Sequence, residues 1–316
     1  MEVKQSQWKA WLYLAPTIIL LIVFTFYPII NTFFTAFVEG AHYTKNGLVD
    51  ITNNPITLQS INLNNFKEVL LGSNMRFFNI YLKNTALVAV ISVPVAIIVS
   101  LLIAVALNSI PKFQKLLQTI FFLPYVTNTI AIGMVFALMF DDRTGLVNTV
   151  IQTLGGDPIK WMGSPGPGGA APYFNSLMVL LIYTVWDSLP FKILILLSAL
   201  QSIDKQYYQA AQIDGTSKAR TLWRITVPLL SPQIIYLMIT SVIGAFKAYN
   251  SVIAIFGEQA KPYGATTNTM ATVVWSIYQN IKGDVGVASA GAVILFIIIM
   301  IITGIQSVVS KKMVHY

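Results

Sequence analysis

Tyr207-Tyr208-Gln209-Ala210-Ala211-Gln212-Ile213-Asp214-Gly215-Thr216-Ser217-Lys218-Ala219-Arg220-Thr221-Leu222-Trp223-Arg224-Ile225-Thr226-Val227-Pro228 is a polar stretch set between two long apolar runs. Its first part, from Asp204, is rich in helix formers and breaks at Gly215, a residue suited to a left-handed helix terminus. A second helix is predicted to start at Thr216 or Ser217, whose hydroxyl can cap it, and to run until Pro228. Two short helices therefore meet at Asp214-Gly215, inside a segment, 201–231, far longer than a simple connection requires.

The flanking runs identify the solvent. Of the 316 residues, 55% are hydrophobic and 10% charged, against about 25% charged in ordinary soluble proteins. The mean hydropathy is +0.68. Apolar runs near the length that crosses about 30 Å of hydrocarbon occur at 11–34, 86–107, 120–140, 177–200, 233–256 and 287–309. The sequence thus predicts an all-α membrane protein with six transmembrane helices, forming one domain over 1–316. Lys4 and Lys9 precede the first run as in a secretory leader, but its apolar core exceeds the usual length of about 7–15 residues, so it is read as a retained span.

Charge sets the orientation. The segments 1–10, 109–118, 201–231 and 310–316 hold ten Lys and Arg, including Lys4, Arg220 and Lys311, against three acids, Glu2, Asp204 and Asp214. The opposite segments, 38–83, 141–175 and 257–286, are longer in sum and carry eight cations, among them Lys160 and Lys261, balanced by eight acids. Both termini are therefore expected in the cytoplasm. The net charge of +8 is topological, since no window joins basic residues with aromatics on a polar face, and nucleic acid is not an expected partner. With no Cys and only His42 and His315, far apart in the chain, neither thiol chemistry nor a metal centre is expected.

Among the outer segments, 38–83 is too long for a bare turn and carries an amphipathic helix beginning at Asn64-Asn65, one of which is expected to cap it, so a small folded cap is predicted. The Gly- and Pro-rich stretch 155–172 reads as a flexible or irregular loop.

Two readings of the 201–231 hairpin follow from its residues. In one, Leu222, Trp223 and Ile225 rest on lipid while Arg220 and Arg224 meet headgroup phosphates. In the other, the small Ala210 and Ala211 admit another protein surface and Gly215 allows a sharp turn, so the hairpin docks into a partner's groove.

The string 207–215, followed by Arg224-Ile225-Thr226-Val227-Pro228-Leu229-Leu230-Ser231-Pro232, resembles the EAA loop of bacterial ABC importer permeases. Gln209 stands where that family usually has Glu, and Val227 where it often has Leu. Phe121-Phe122-Leu123-Pro124-Tyr125-Val126, Leu200-Gln201-Ser202-Ile203, Gly264-Ala265-Thr266 and Ile277-Tyr278-Gln279, in that order, extend the resemblance to the sugar-type permeases of the maltose, multiple-sugar and glycerol-phosphate branch. The resemblance implies a type I importer architecture in a bacterial plasma membrane, with Gln209, Ala210, Ala211, Asp214 and Gly215 forming the coupling element. It further implies a second homologous permease, two ATPase subunits carrying ATP and magnesium, and an extracellular binding protein that delivers a carbohydrate. This chain has no GxxxxGK[ST] phosphate loop of its own.

Competing classes leave their own marks. An enzyme is disfavoured by the lack of HExxH, GxSxG or paired carboxylates in a span. An ion-coupled carrier or channel would also place charges in spans, but has no reason to present the hairpin motif. Each of the span charges Asp187, Lys192 and Lys247 costs about 2.5–3.5 kcal/mol at a helix centre unless paired or hydrated. Asp187 and Lys192 are read chiefly as a structural pair, whereas Lys247 is followed by Tyr249 and Asn250 in a run of unusual polarity. Rings that stack on sugar faces and amides that bond hydroxyls suit a carbohydrate cavity. By resemblance that cavity is lined by spans three to six, making Asn128, Tyr183, Trp186, Lys247, Tyr249 and Asn250 candidates. A buried Lys also suits an anion, so acidic oligosaccharides and glycerol phosphate remain open beside neutral sugars.

Overall fold

Apolar side chains in long uninterrupted series, with few glycines to dissolve them, give helices throughout. In a computed structural model that describes residues 7–41, 60–110, 114–163 and 171–313, those residues contain no strand, only a β-bridge between Val38 and Ile61. In chain order, α1 (Gln7–Leu21) passes through a π-helical turn at Ile22–Phe26 into α2 (Tyr27–Thr35). Next come α3 (Asn64–Arg76), a π-helical turn (Phe77–Leu82) and α4 (Lys83–Asn108), then α5 (Gln114–Val126), α6 (Thr129–Met139), α7 (Leu146–Thr153) and α8 (Tyr173–Ser202). The hairpin holds α9 (Lys205–Ile213), α10 (Lys218–Thr221), a π-helical turn (Leu222–Thr226) and α11 (Val227–Leu229). The chain continues through α12 (Ser231–Phe246), α13 (Asn250–Phe256), α14 (Val273–Ile281) and α15 (Val285–Met313).

Four stretches are long and apolar enough to cross a membrane: Trp11–Thr35, Phe77–Asn108, Tyr173–Ser202 and Val285–Ser310. They answer to the first, second, fourth and sixth expected spans. A fifth arises if Lys218–Leu229 and Ser231–Phe246, bent by 69°, are taken together. The continuous helices expected at 120–140 and 233–256 are instead each divided in two. At the first break Asn128 turns extended and its side chain accepts the N–H groups of Ile130 (2.9 Å) and Ala131 (3.2 Å), starting α6 afresh. At the second, the carbonyl of Ala248 accepts the hydroxyl of Thr272 (2.7 Å), a partner from 24 residues further on, and α13 begins at Asn250.

The chain forms two compact units. One comprises Met1–Arg76 with Ser276–Ile297. Here α3 is held against the chain after α2 by Asn65, whose buried amide donates to the carbonyls of Ala36 (3.1 Å) and Val38 (2.9 Å). Asn65 is thus a clamp rather than a cap. The first N–H of α3 is accepted by Asn62 instead (2.8 Å). Asn62 and Asn64 both donate to Glu39, and these amide hydrogen bonds, that of Asn62 foremost, hold its carboxyl below the usual carboxylate range. A Cβ at Gly286 would lie 2.5 Å from both the Asn65 amide and the Val38 carbonyl, so only glycine admits this packing. Ala36, Ala290 and Val293 close the small core with Phe66 and Val69. The cap expected in 38–83 is realised over its described part; residues 42–59 lie outside the described residues.

The other unit comprises Phe77–Trp275 with Ile298–Tyr316. Its α4 packs on α8 and α12 through a buried row of small residues, Ala89, Ser92, Ala96, Ser100 and Ala104, that lets helix axes approach closely. Asn84, buried at the start of α4, donates to the carbonyls of Thr269 and Ala271 (both 2.8 Å) and accepts the Tyr173 hydroxyl (2.6 Å). The 155–172 stretch is irregular, as expected, over its described residues, but it is tied down there: Asp142 accepts the N–H groups of Trp161 (2.7 Å) and Met162 (2.9 Å), and Asn148 bonds Ile159 in both directions. Residues 164–170 lie outside the described residues.

Candidate functional site

The hairpin is built by three punctuation marks in its sequence. Asp204 caps α9 by accepting the Gln206 N–H (2.9 Å), and Ser217 caps α10 at Arg220 (3.4 Å). Between them Gly215 takes φ +65°, its N–H bonding the carbonyl of Gln212 (3.1 Å) while that of Thr216 bonds Ala211 (2.9 Å). This is the Schellman pattern, which satisfies the orphan carbonyls at the end of α9. Nothing lies within 4 Å of where a Gly215 Cβ would be.

Gln209, Ala210, Asp214 and Gly215 are exposed, whereas Ala211 is buried inward. The most exposed apolar side chain of the turn is Ile213, at 87%. Behind it, a cavity of about 610 Å³ separates Tyr208, Gln212 and Thr216 from the end of α4 at Val105 and Asn108. Tyr208 crosses to Thr226 with a hydroxyl contact of 3.3 Å, bracing α9 on the returning arm.

A second cavity, of about 400 Å³, opens where α4, α8 and the α12–α13 break converge. Its volume is within the range of about 300–1,000 Å³ usual for small-molecule sites. It is lined by the hydroxyl-bearing residues Ser92, Thr129, Thr184, Ser188, Ser241 and Ser251, by Tyr249 and Asn250, and by the three span charges Asp187, Lys192 and Lys247. Lys192 is 5% exposed, and among the described residues its ammonium reaches only the Ser188 carbonyl, at 3.5 Å. The Asp187–Lys192 pairing expected from the sequence is not a contact ion pair among the described residues. Lys247, at the C-terminal end of α12, is exposed; its backbone N–H bonds the Gly244 carbonyl (3.1 Å), but its ammonium forms no hydrogen bond or ion pair among the described residues.

Of the six sequence candidates, Lys247, Tyr249 and Asn250 come together in this cavity. The other three serve the frame beside it. Asn128 caps α6; Tyr183 is fully buried and donates to the Thr129 carbonyl (2.7 Å); Trp186 packs on Phe136 with ring centroids 5.1 Å apart. Asp187, Lys192 and the hydroxyls join the lining instead. The charges were visible as charges, but a lone Ser or Thr in an apolar helix gives no signal, because it usually bonds its own backbone, as Thr184 does to Leu180 (2.8 Å). Among the described residues no group of three or more His, Cys, Asp or Glu is placed to hold a metal ion.

Long apolar helices, broken beside a polar cavity and joined through α12 to an exposed hairpin, define a multi-pass membrane protein of the permease kind. The comparisons with known proteins are specific: residues 96–315 match the family described as "Binding-protein-dependent transport system inner membrane component", and the chain belongs to that family. It is 32% identical over 296 residues to the "Probable ABC transporter permease protein MG188" of Mycoplasma genitalium, covering 92% of this chain and 82% of that one. It is 29% identical over 294 residues to the "Arabinooligosaccharides transport system permease protein AraP" of Halalkalibacterium halodurans, covering 92% and 84%. Its fold is shared with a "bacterial alginate ABC transporter in complex with alginate pentasaccharide-bound periplasmic protein", with a TM-score of 0.73 at 21% identity over 96% of this chain and 94% of that one. The resemblance to sugar-type ABC importer permeases is thereby borne out.

Proposed function

We propose that this chain is one half of the membrane pathway of an ATP-driven importer that moves a carbohydrate, delivered by an extracellular binding protein, into a bacterial cytoplasm. The observation that carries this reading is the exposed hairpin turned at Gly215, continuous through α12 with the hydroxyl-lined cavity. The names of relatives, arabinooligosaccharides in one case and alginate in another, support the substrate class.

In this reading the whole chain acts as one permease domain beside a second, homologous permease. Gln209, Ala210, Asp214 and Gly215 seat in an ATPase subunit, with Ala211 behind them setting the close spacing of α9. Two such ATPases hold ATP and magnesium and hydrolyse the nucleotide, while this chain contributes no catalytic group. The broken pairs α5–α6 and α12–α13 complete six crossings, with both termini in the cytoplasm. The small hydroxyls then exchange hydrogen bonds with a polyol, and the Tyr249 ring offers it an apolar face.

Two measurements test this. Reconstituted with its partners, the chain should take up sugar only when ATP is supplied; uptake by the single chain driven by an ion gradient would make it a secondary carrier instead. Because the chain has no Cys, single cysteines report topology directly. Position 220 should label only from the cytoplasmic side and position 160 only from outside, and the reverse pattern would overturn the orientation and the hairpin reading with it.

A further inference from the structure

Within the 400 Å³ cavity the charges do not cancel: two ammonium groups, of Lys192 and Lys247, face one carboxylate, of Asp187. Lys192 is buried with one carbonyl at the limit of hydrogen-bonding distance, so it depends on the nearby Asp187 for its electrostatic balance. That leaves Lys247 uncompensated. Its position is informative, since it closes the last turn of α12, where the free carbonyls of the helix favour a cation. A lysine kept for packing would bury its stem, and one kept for pairing would have a partner. Lys247 does neither: it is exposed, and its ammonium has no hydrogen bond or ion pair among the described residues, beside Tyr249 and Asn250.

We infer that the cavity recognises an anionic polyhydroxylated solute, a sugar bearing a carboxylate or a polyol bearing a phosphate, and that Lys247 is the residue that meets its anionic group. The inference rests on the reading of this chain as a solute pathway and adds the charge of the solute. The chemistry is complementary. Hydroxyl side chains both donate to and accept from solute hydroxyls, but none offers a cation, whereas an ammonium donates only and so prefers anionic oxygen. Between walls that offer hydroxyls but no second free carboxylate, a neutral sugar would leave the Lys247 charge without its partner.

The test uses the complete permease–ATPase assembly in lipid nanodiscs without the binding protein, so that the delivery protein's own selectivity does not enter. Dissociation constants are measured by titration calorimetry for digalacturonate, digalactose and glycerol 3-phosphate. At least one anionic probe should bind about tenfold or more tightly than digalactose, the scale of one charge-assisted hydrogen bond. Lys247→Gln should bring the anionic and neutral affinities together, Lys247→Arg should retain the preference, and Asp187→Asn should strengthen binding of the anion. Preference for digalacturonate supports a carboxylated sugar; preference for glycerol 3-phosphate alone supports the anion inference while removing the carbohydrate reading. Equal binding of digalactose and digalacturonate with no tighter binding of glycerol 3-phosphate, or a preference that survives Lys247→Gln, overturns the inference and leaves the carbohydrate reading standing. Binding of none of the three overturns both.

Discussion

Gly215→Val is expected to abolish substrate-stimulated ATP hydrolysis by the assembled transporter while leaving membrane insertion and binding-protein docking intact. The lesion is conformational rather than steric, because the space around a Cβ at this position is empty. What valine cannot do cheaply is hold φ +65°: the left-handed region costs an L-residue about 1–2 kcal/mol, and β-branching raises that further. If the backbone relaxes, the two bonds that end α9, from Gly215 to Gln212 and from Thr216 to Ala211, are lost together, and α9 and α10 leave their mutual angle. A coupling contact that depends on that angle should then fail, while the membrane helices should not sense it. Gly215→Asn is the control, since asparagine tolerates the left-handed region, and it should retain most of the stimulated rate. Full stimulated hydrolysis in the valine variant would place the hairpin outside the coupling contact and favour its rest on lipid.

Gly133→Val should strongly destabilise the fold. Here the obstacle is steric: a Cβ on Gly133 would overlap the Cβ of Ala254, and it would also stand 3.5 Å from the Tyr183 ring. The two helices concerned, α6 and α13, are short and lie next to the two breaks, so neither has much length over which to bend away. Overpacking of a close helix contact costs about 1–3 kcal/mol, occasionally more. The expected result is a sharp loss of monodisperse protein on size-exclusion chromatography and a lowered thermal midpoint. Exchanging the methyl, Gly133→Ala with Ala254→Gly, should recover much of the loss. An unchanged midpoint in Gly133→Val would mean that α6 and α13 do not touch at this point.

These two glycines mark the boundary of what the sequence could disclose. The Gly215 turn was legible because everything that makes it is local: Asp204, Gly215 and Ser217 act on neighbours within a few residues, whereas Pro228, expected to stop the second helix, stands inside α11, where its fixed φ fits a first helical turn. The close approach at Gly133 was not, since its partner Ala254 is remote in sequence and equally apolar. The same distinction explains the divided spans. Hydropathy registers 120–140 and 233–256 as continuous apolar runs, but it cannot weigh an Asn128 that starts a new helix or a Thr272 that returns to the Ala248 carbonyl. In the cavity, Lys247, Tyr249 and Asn250 stood out because they are polar where lipid would demand otherwise. Tyr183 and Trp186 were candidates by resemblance, as aromatic rings in the spans that line such a cavity, yet packing absorbs them, and only the fold distinguishes a ring that faces a cavity from one that faces a neighbouring helix.

The length of α12 gives the molecule a lever arm. Its 16 residues make a rod about 24 Å long, with the hairpin attached at Ser231 and Lys247 at the far tip. A tilt of about 10° at one end sweeps the other through about 4 Å, more than the length of a hydrogen bond. A tilt driven at the hairpin would therefore carry the ammonium at the tip with it, and by reciprocity a load on that tip would bias the hairpin by the same free energy.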